Sequence, residues 1–302
     1  MKRTAFARIS RAAKKNPRGG RNAGKGTEPP ARANTRQREA GAGLCFRPMA
    51  SETTKTVVVT GASRGIGRAV SLAFAREGYD VWALARSAES LEALRKEGGE
   101  RIRTHAVDVG DESALLAACK VILAGGAPRV LVNNAGITVS APLTKTSTAD
   151  LAKVMAVNVT APFILCRELM PAMVAAGGGR VINIGSITST RGAKYTSAYC
   201  ASKHALLGLT RALAVEYARK NVTVNNVNPG WVETDMFAGA TAAVSKTTGR
   251  TEEQAREALA SMNAMGRIIQ PEEVAAVCLF LASEAAGAIT GAAYAIDGGE
   301  AG

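Results

Sequence analysis

The chain has 302 residues, 47% of them hydrophobic but only 4% aromatic, with a formal net charge of +13. That length holds one large α/β domain or two small ones, and a composition dominated by Ala, Val, Leu and Gly favours helices packed tightly on a sheet over an aromatic-rich β-sandwich. Residues 1–48 carry 13 Lys/Arg against 2 Asp/Glu, whereas residues 49–302 carry 25 against 23, so the basicity belongs to the N-terminal segment and does not mark the body as a nucleic-acid binder.

That segment, beginning MKRTAFARISRAAKKNPRGGRNAGKG, is rich in Arg, Gly, Ala and Pro and has no sustained periodicity, so it is expected to be disordered. It lacks the apolar stretch of a secretory signal. Three readings stay open: a targeting peptide poor in serine, a basic arm for nucleic acid or anionic surfaces, or a stretch upstream of the true start, since Met49 is followed directly by ASETTK and a strand. The last, or a passive tail, fits the composition best. No run of 18 apolar residues occurs, so no membrane-spanning helix is expected. Cys45, Cys119, Cys166, Cys200 and Cys278 form no C-x-x-C pair, hence no zinc signature and no disulfide framework, and they read as reduced thiols of a cytoplasmic protein.

From residue 56 strands and helices alternate. TVVVT (56–60) is a short β-branched run that reads as a buried parallel strand. Residues 66–77 follow with Ile66, Val70, Ala73 and Phe74 at helical spacing. Next come a strand at 80–85, a helix from about Ala88, a strand at 101–108, a helix from about Asp111 and a strand at 130–133. A long helix over 148–176 is bent or interrupted by Pro162 and Pro171. A strand at 179–186, a helix at 197–220 and a strand at 221–230 follow. Residues 231–265 show no strand and one short helix; a connection of that length reads as a lid. Pro271 opens the last helix as its first residue, and YAIDGG closes with a strand. The alternation predicts a single-domain, Rossmann-type α/β fold: a doubly wound parallel sheet of about seven strands with helices on both faces.

The first strand runs into TGASRGIG, which places Gly61, Gly65 and Gly67 at a strand-to-helix turn. Glycines there admit unusual φ angles and let backbone approach a pyrophosphate, which then meets the helix N-terminus. Further on, Asn133-Asn134-Ala135-Gly136 follows the fourth strand, Asn158 lies in VNVT on the long helix, Ser186 ends the fifth strand, Tyr199 and Lys203 stand four apart on one helix face, and Pro229-Gly230 ends the sixth strand with Thr234 beyond. This ordered set resembles the short-chain dehydrogenase/reductase family over about residues 54–299.

The resemblance implies a catalytic set of Asn158, Ser186, Tyr199 and Lys203. Tyr199 would protonate the carbonyl oxygen as hydride reaches the carbon. Lys203, with the oxidised nicotinamide, would lower a phenol pKa that is otherwise near 10. Ser186 would hydrogen-bond the carbonyl, and Asn158 would hold a relay water. It also implies cofactor contacts from Gly61, Ser63, Arg64, Gly65, Ile66, Gly67, Arg86, Asp108, Val109, Asn134, Ala135, Gly136, Tyr199, Lys203, Pro229, Gly230, Val232 and Thr234, no metal, and a homotetramer. An acid after the second strand would bind the ribose diol of NAD. Here Ala85 and Arg86 stand in that place, and Arg64 adds a second guanidinium suited to a 2′-phosphate, so NADP(H) is expected.

Within the family the body looks most like 3-oxoacyl thioester reductases, through YCASKHALLGLTRALAVEYA, PGWVETDM and the closing IDGG. Basic residues that would dock a carrier protein are thin in MVAAGGG and AVEY, which shifts weight toward coenzyme A thioesters or smaller ketones. The expected reaction is reduction of a ketone to a secondary alcohol, most simply the 3-oxo group of an acyl thioester. A 3-hydroxyacyl-CoA or hydroxybutyrate-type dehydrogenase, a polyketide ketoreductase, and a regulatory cofactor-binding protein using the basic tail are the alternatives. Arg191 and Lys194 could meet an anionic substrate or be solvated.

Overall fold

The computed structural model describes residues 55–301. The basic tail, Cys45 and the proposed start at Met49 lie outside them. Seven parallel strands form one sheet: β1 (Thr56–Thr60), β2 (Asp80–Ala85), β3 (Ile102–Ala106), β4 (Val130–Asn133), β5 (Gly179–Ile184), β6 (Val222–Pro229) and β7 (Ala293–Ile296), in the order β3-β2-β1-β4-β5-β6-β7. The third strand stops short of the expected 101–108, because Asp108 turns the chain by accepting the Gly110 N–H at 2.9 Å.

Both sheet faces are buried, as the unbroken apolar runs required. Alternate residues of β1 go to opposite cores: Val57 and Val59 face α1 (Gly65–Arg76), α2 (Ala88–Gly98) and α9 (Pro271–Ala282), while Val58 faces the other side. There lie α3 (Glu112–Ala124), α5 (Ala161–Ala175) and α6 (Ser197–Tyr217). Pro271 is the first residue of α9, as expected.

The long helix is more articulated than its prolines suggest. It runs as α4 (Thr148–Met155), a π turn at Ala156–Thr160, and α5. Pro171 sits inside α5 without ending it. The π turn falls just before Pro162, whose missing N–H and ring leave an i−4 carbonyl unpaired in a regular helix. Thr148–Ala175 is also long and apolar enough, by length and composition alone, to cross a membrane. Here Ile164, Leu165, Leu169, Met170 and Met173 are buried in the core on the α3 side of the sheet.

Residues 231–268 hold two helices where one was expected, α7 (Asp235–Thr248) and α8 (Glu252–Ala260). They share a small core of Phe237, Leu259 and Ile268, with Trp231 packed against it, separate from the two main cores.

One charge is buried at the opposite end of the sheet from these loops. Arg180 on β5 is 1% exposed and reaches Glu284 at 3.4 Å, while Arg129 donates to the other Glu284 oxygen at 2.8 Å. The Arg180 Nε has no partner among the described residues. Removing one member of such a pair strands the other. Because Glu284 is largely exposed, we expect Glu284→Gln to lower the unfolding free energy by about 2 kcal/mol, less than for a fully buried pair. Urea titration checks this; an unchanged midpoint would mean that Gly179 O alone satisfies the guanidinium.

Candidate active site

The strand order reverses between β1 and β4, and in such sheets the crevice opens at the carboxyl ends of the strands flanking that point. Both loops there are built for close approach. Gly61 (φ 63°) and Gly65 (φ 51°) are left-handed, a conformation that penalises a Cβ. A Cβ on Gly67 would lie 2.2 Å from Gly61 O and 2.4 Å from Asn134 Nδ2. Ser63 and Ile66 are partly buried in the same turn. Arg64 caps α1 through extended backbone (φ −156°) with no side-chain hydrogen bond to the helix, and no acid stands in the first turn. The leading N–H groups are therefore left to a ligand, and the helix dipole favours an anion there.

Thr60, absent from the expected site residues, ties the two loops together. Its hydroxyl accepts the N–H of both Asn134 and Ala135 at 3.0 Å, and Asn134 Nδ2 donates to Thr60 O at 2.8 Å. Arg86 is exposed just past β2 and makes no ion pair among the described residues. The neighbouring Ser87 hydroxyl caps α2 by accepting from Ser90 N. Arg64 is placed differently from expectation: it donates to Asp235, in the first turn of α7, at 2.9 Å, with both side chains about 70% exposed. Asp108 is exposed and Val109 buried beyond β3. Pro229 and Gly230 end β6; Val232 forms a bridge with Ile269, and Thr234 caps α7 with its methyl against Gly65.

The four expected catalytic residues converge at the ends of β4 and β5. Asn158 lies in the π turn and is buried. Its Oδ1 accepts from Ile137 N at 2.9 Å, and its Nδ2 donates to Ile137 O and Ser202 Oγ, each at 3.0 Å. Ser186 follows β5, and its hydroxyl accepts the Thr188 N–H at 3.1 Å. Lys203 is 3% exposed and donates to Ile184 O at 2.8 Å. Its ammonium is 5.6 Å from the centroid of the Tyr199 ring. Gly136 lies between two of them: a Cβ there would be 3.5 Å from Asn158 Oδ1 and 3.6 Å from Lys203 Nζ.

Burial pushes the Tyr199 phenol up to about 12, with the Ser186 hydroxyl pulling the other way by hydrogen bonding. Burial also brings Lys203 down to about 8. In the protein alone burial dominates the phenol, and the expected lowering, which needs the oxidised nicotinamide beside the lysine, does not enter. Desolvation disfavours both charged forms at once, and the ammonium is turned to the Ile184 carbonyl.

The chain matches known proteins over most of its length. The family model adh_short_C2, described as enoyl-(acyl carrier protein) reductase, matches residues 61–300. The chain belongs to the short-chain dehydrogenase/reductase family. Among the relatives of this short-chain reductase is D-threitol dehydrogenase of Mycolicibacterium smegmatis, 36% identical, with 81% of this chain and 92% of the relative covered. The 3-oxoacyl-[acyl-carrier-protein] reductase FabG of Thermotoga maritima is also 36% identical, with 81% and 97% covered. A solved actinorhodin polyketide ketoreductase with NADPH superposes with a TM-score of 0.80 at 32% identity, covering 84% of this chain and 99% of that one.

Under the site runs a set of buried amides of which the sequence patterning singled out only Asn133. Asn133 Nδ2 donates to Asn183 Oδ1, and Asn183 Nδ2 donates to Thr210 Oγ1 on α6, each at 2.8 Å. Asn228 Oδ1 accepts from Ser186 N at 3.2 Å and so helps aim the serine. Four buried asparagines in NVTVNNVNP and VINIG, within otherwise apolar strands, were the available signal. Arg191 is not free to meet an anionic substrate, because it is engaged by Glu300; Lys194 remains exposed.

Proposed function

We propose that the chain reduces a ketone to a secondary alcohol with Tyr199 as the proton donor, and that the ketone is the 3-oxo group of an acyl thioester. The convergence of Asn158, Ser186, Tyr199 and Lys203 on one crevice, beside a glycine turn that leaves the first N–H groups of α1 uncapped, carries this reading. NADP(H) is the cofactor. The residues fit it: Gly61, Gly65 and Gly67 form a cradle that side chains would fill, no carboxylate of β2 faces the place of a 2′-phosphate, and Arg86 is available for one. When bound, NADPH supplies hydride to the carbonyl carbon.

Tyr199, protonated at neutral pH, donates its phenolic proton to the carbonyl oxygen, and Ser186 steadies the charge growing there. Lys203 is held by Ile184 O beside the crevice, where its positive charge favours the phenolate left behind. The Asn158 amide, engaged with Ile137 and Ser202, serves the proton relay by fixing the walls around Lys203. The thioester assignment is supported by the FabG relative and by the sequence of α6. The D-threitol relative supports a second reading, a polyol or ketose substrate. The same reading places the protein in the cytoplasm as a homotetramer, with the exposed Phe163 and Val215 of α5 and α6 in the subunit contacts.

Residues 49–302 mixed with NADPH and acetoacetyl-CoA, or with NADP+ and threitol, decide between substrates by absorbance at the nicotinamide band. Turnover of the thioester alone supports the first reading, and turnover of the polyol alone replaces it. Arg86→Asp is expected to lower kcat/KM with NADPH by about 100-fold relative to NADH, since it exchanges a guanidinium for the acid that binds a ribose diol. An unchanged ratio would remove Arg86 from the cofactor site.

A further inference from the structure

The loop between Ser186 and Tyr199 is tied to the C-terminal turn at Arg191. This guanidinium forks across a single residue: one nitrogen donates to Glu300 O at 2.7 Å, and the other donates to the Glu300 carboxylate Oε1. The Glu300 side chain is 3% exposed. Its second oxygen, Oε2, is buried with no hydrogen-bond partner among the described residues, and a Cβ on Gly230 would come within 3.1 Å of it. Burial raises the Glu300 carboxyl above the usual range, while Arg191 lowers it and Asp297 raises it.

The same turn touches two other walls of the crevice. Gly230, at the end of β6, donates to Ile296 O at 3.1 Å, and Met265, just past α8, donates to Gly298 O at 3.1 Å. Asp297 closes the turn by accepting from Gly299 N at 3.0 Å and Ala301 N at 2.8 Å. The loop that Arg191 belongs to has few other ties. Ala141 N donates to Tyr195 O at 2.8 Å, and Tyr195 itself is an exposed, left-handed residue (φ 64°). Such a backbone persists only where its surroundings hold it.

We propose that Glu300 is a positioning residue for the reduction: through Arg191 it sets where the loop between Ser186 and Tyr199 stands against the end of β6 and the exit of the lid. It touches none of the reacting atoms. The inference rests on that loop forming the substrate wall of the proposed ketone reductase. A buried carboxylate with one unsatisfied oxygen depends on its single guanidinium partner. Neutralising either member releases the loop while Ser186, Tyr199 and Lys203 keep their own supports on β5, β6 and α6.

The test compares Glu300→Gln, Arg191→Met and the double variant, by steady-state kinetics and by hydrogen exchange of residues 187–196 without substrate. Each single variant is expected to raise KM for the ketone about tenfold, with kcat within threefold and KM for NADPH unchanged, since small displacements of a wall weaken productive binding. Exchange in 187–196 accelerates in both, and the double variant is no worse than the worse single one. An unchanged ketone KM, a parallel rise in the NADPH KM, or multiplying effects in the double variant overturn the proposal. If the parent turns over no ketone, the functional reading fails while exchange still decides this one: unaltered exchange in both single variants sinks it. Arg191→Met, at the more exposed partner, carries the test should Glu300→Gln fold poorly.

Discussion

Tyr199→Phe is expected to lower kcat for ketone reduction by about 10³-fold, the middle of the range that a positioned general acid contributes. The phenyl ring keeps the shape of the side chain and removes only the group that holds the proton. NADPH affinity and thermal midpoint should therefore stay close to those of the parent, measured by nicotinamide fluorescence and by calorimetry. The direction of the pKa shifts adds a second signature. A phenol pushed up to about 12 stays protonated through neutral and mildly alkaline pH, so the acid needed for reduction is present there. Alcohol oxidation needs the phenolate, which is scarce below that value, so its rate should climb as pH rises. A Tyr199→Phe enzyme retaining more than a tenth of parental reduction would mean that water or Ser186 supplies the proton.

Gly67→Ala is expected to be the most damaging single-methyl change in the cofactor cradle. The added carbon would meet the main-chain oxygen of Gly61 at 2.2 Å and Asn134 Nδ2 at 2.4 Å. Neither is the free end of a flexible side chain. Asn134 is held by Thr60 and Gly61 carbonyls, and Gly61 O belongs to the turn itself. Helix α1 must move away from β1, taking its uncapped N–H groups with it. We expect a loss of about 3 kcal/mol in unfolding free energy, the upper range for overpacking, together with at least tenfold weaker NADPH binding. Gly78→Ala is the control: its φ of +82° strains a side chain, but nothing lies within 4 Å, so about 1 kcal/mol is expected, with NADPH binding intact. Gly67 itself is not left-handed, so an effect no larger than that of Gly78→Ala would show that Gly61 and Asn134 give way to the added methyl.

The sheet was legible because its central strands, β1 and β4–β6, are short runs buried on both faces, and most of the following helices announce themselves by spacing. The proposed catalytic set was legible only through the family resemblance, which rests on Asn158, Ser186, Tyr199 and Lys203 standing in that order. What escaped is of another kind. Thr60, Asn183, Asn228 and Glu300 act through partners 27 to 109 positions away, as in the Asn183–Thr210 and Arg191–Glu300 pairs, and no local pattern encodes such pairings. The π turn at Ala156–Thr160 escaped because Pro162 signals that a helix must adjust but not which adjustment wins. The weight of burial on the Tyr199 phenol escaped because charge is visible in a sequence and desolvation is not.

The separate core beneath α7 and α8 has a consequence for substitution. Phe237, Leu259 and Ile268 pack on one another rather than on the strands that carry Ser186 and the glycine turn. Substitutions among these three apolar residues are thus absorbed locally, whereas the first turn of α7 stays tied to the glycine turn through Asp235 and Thr234. That small core can be repacked without repacking either of the two cores on the sheet.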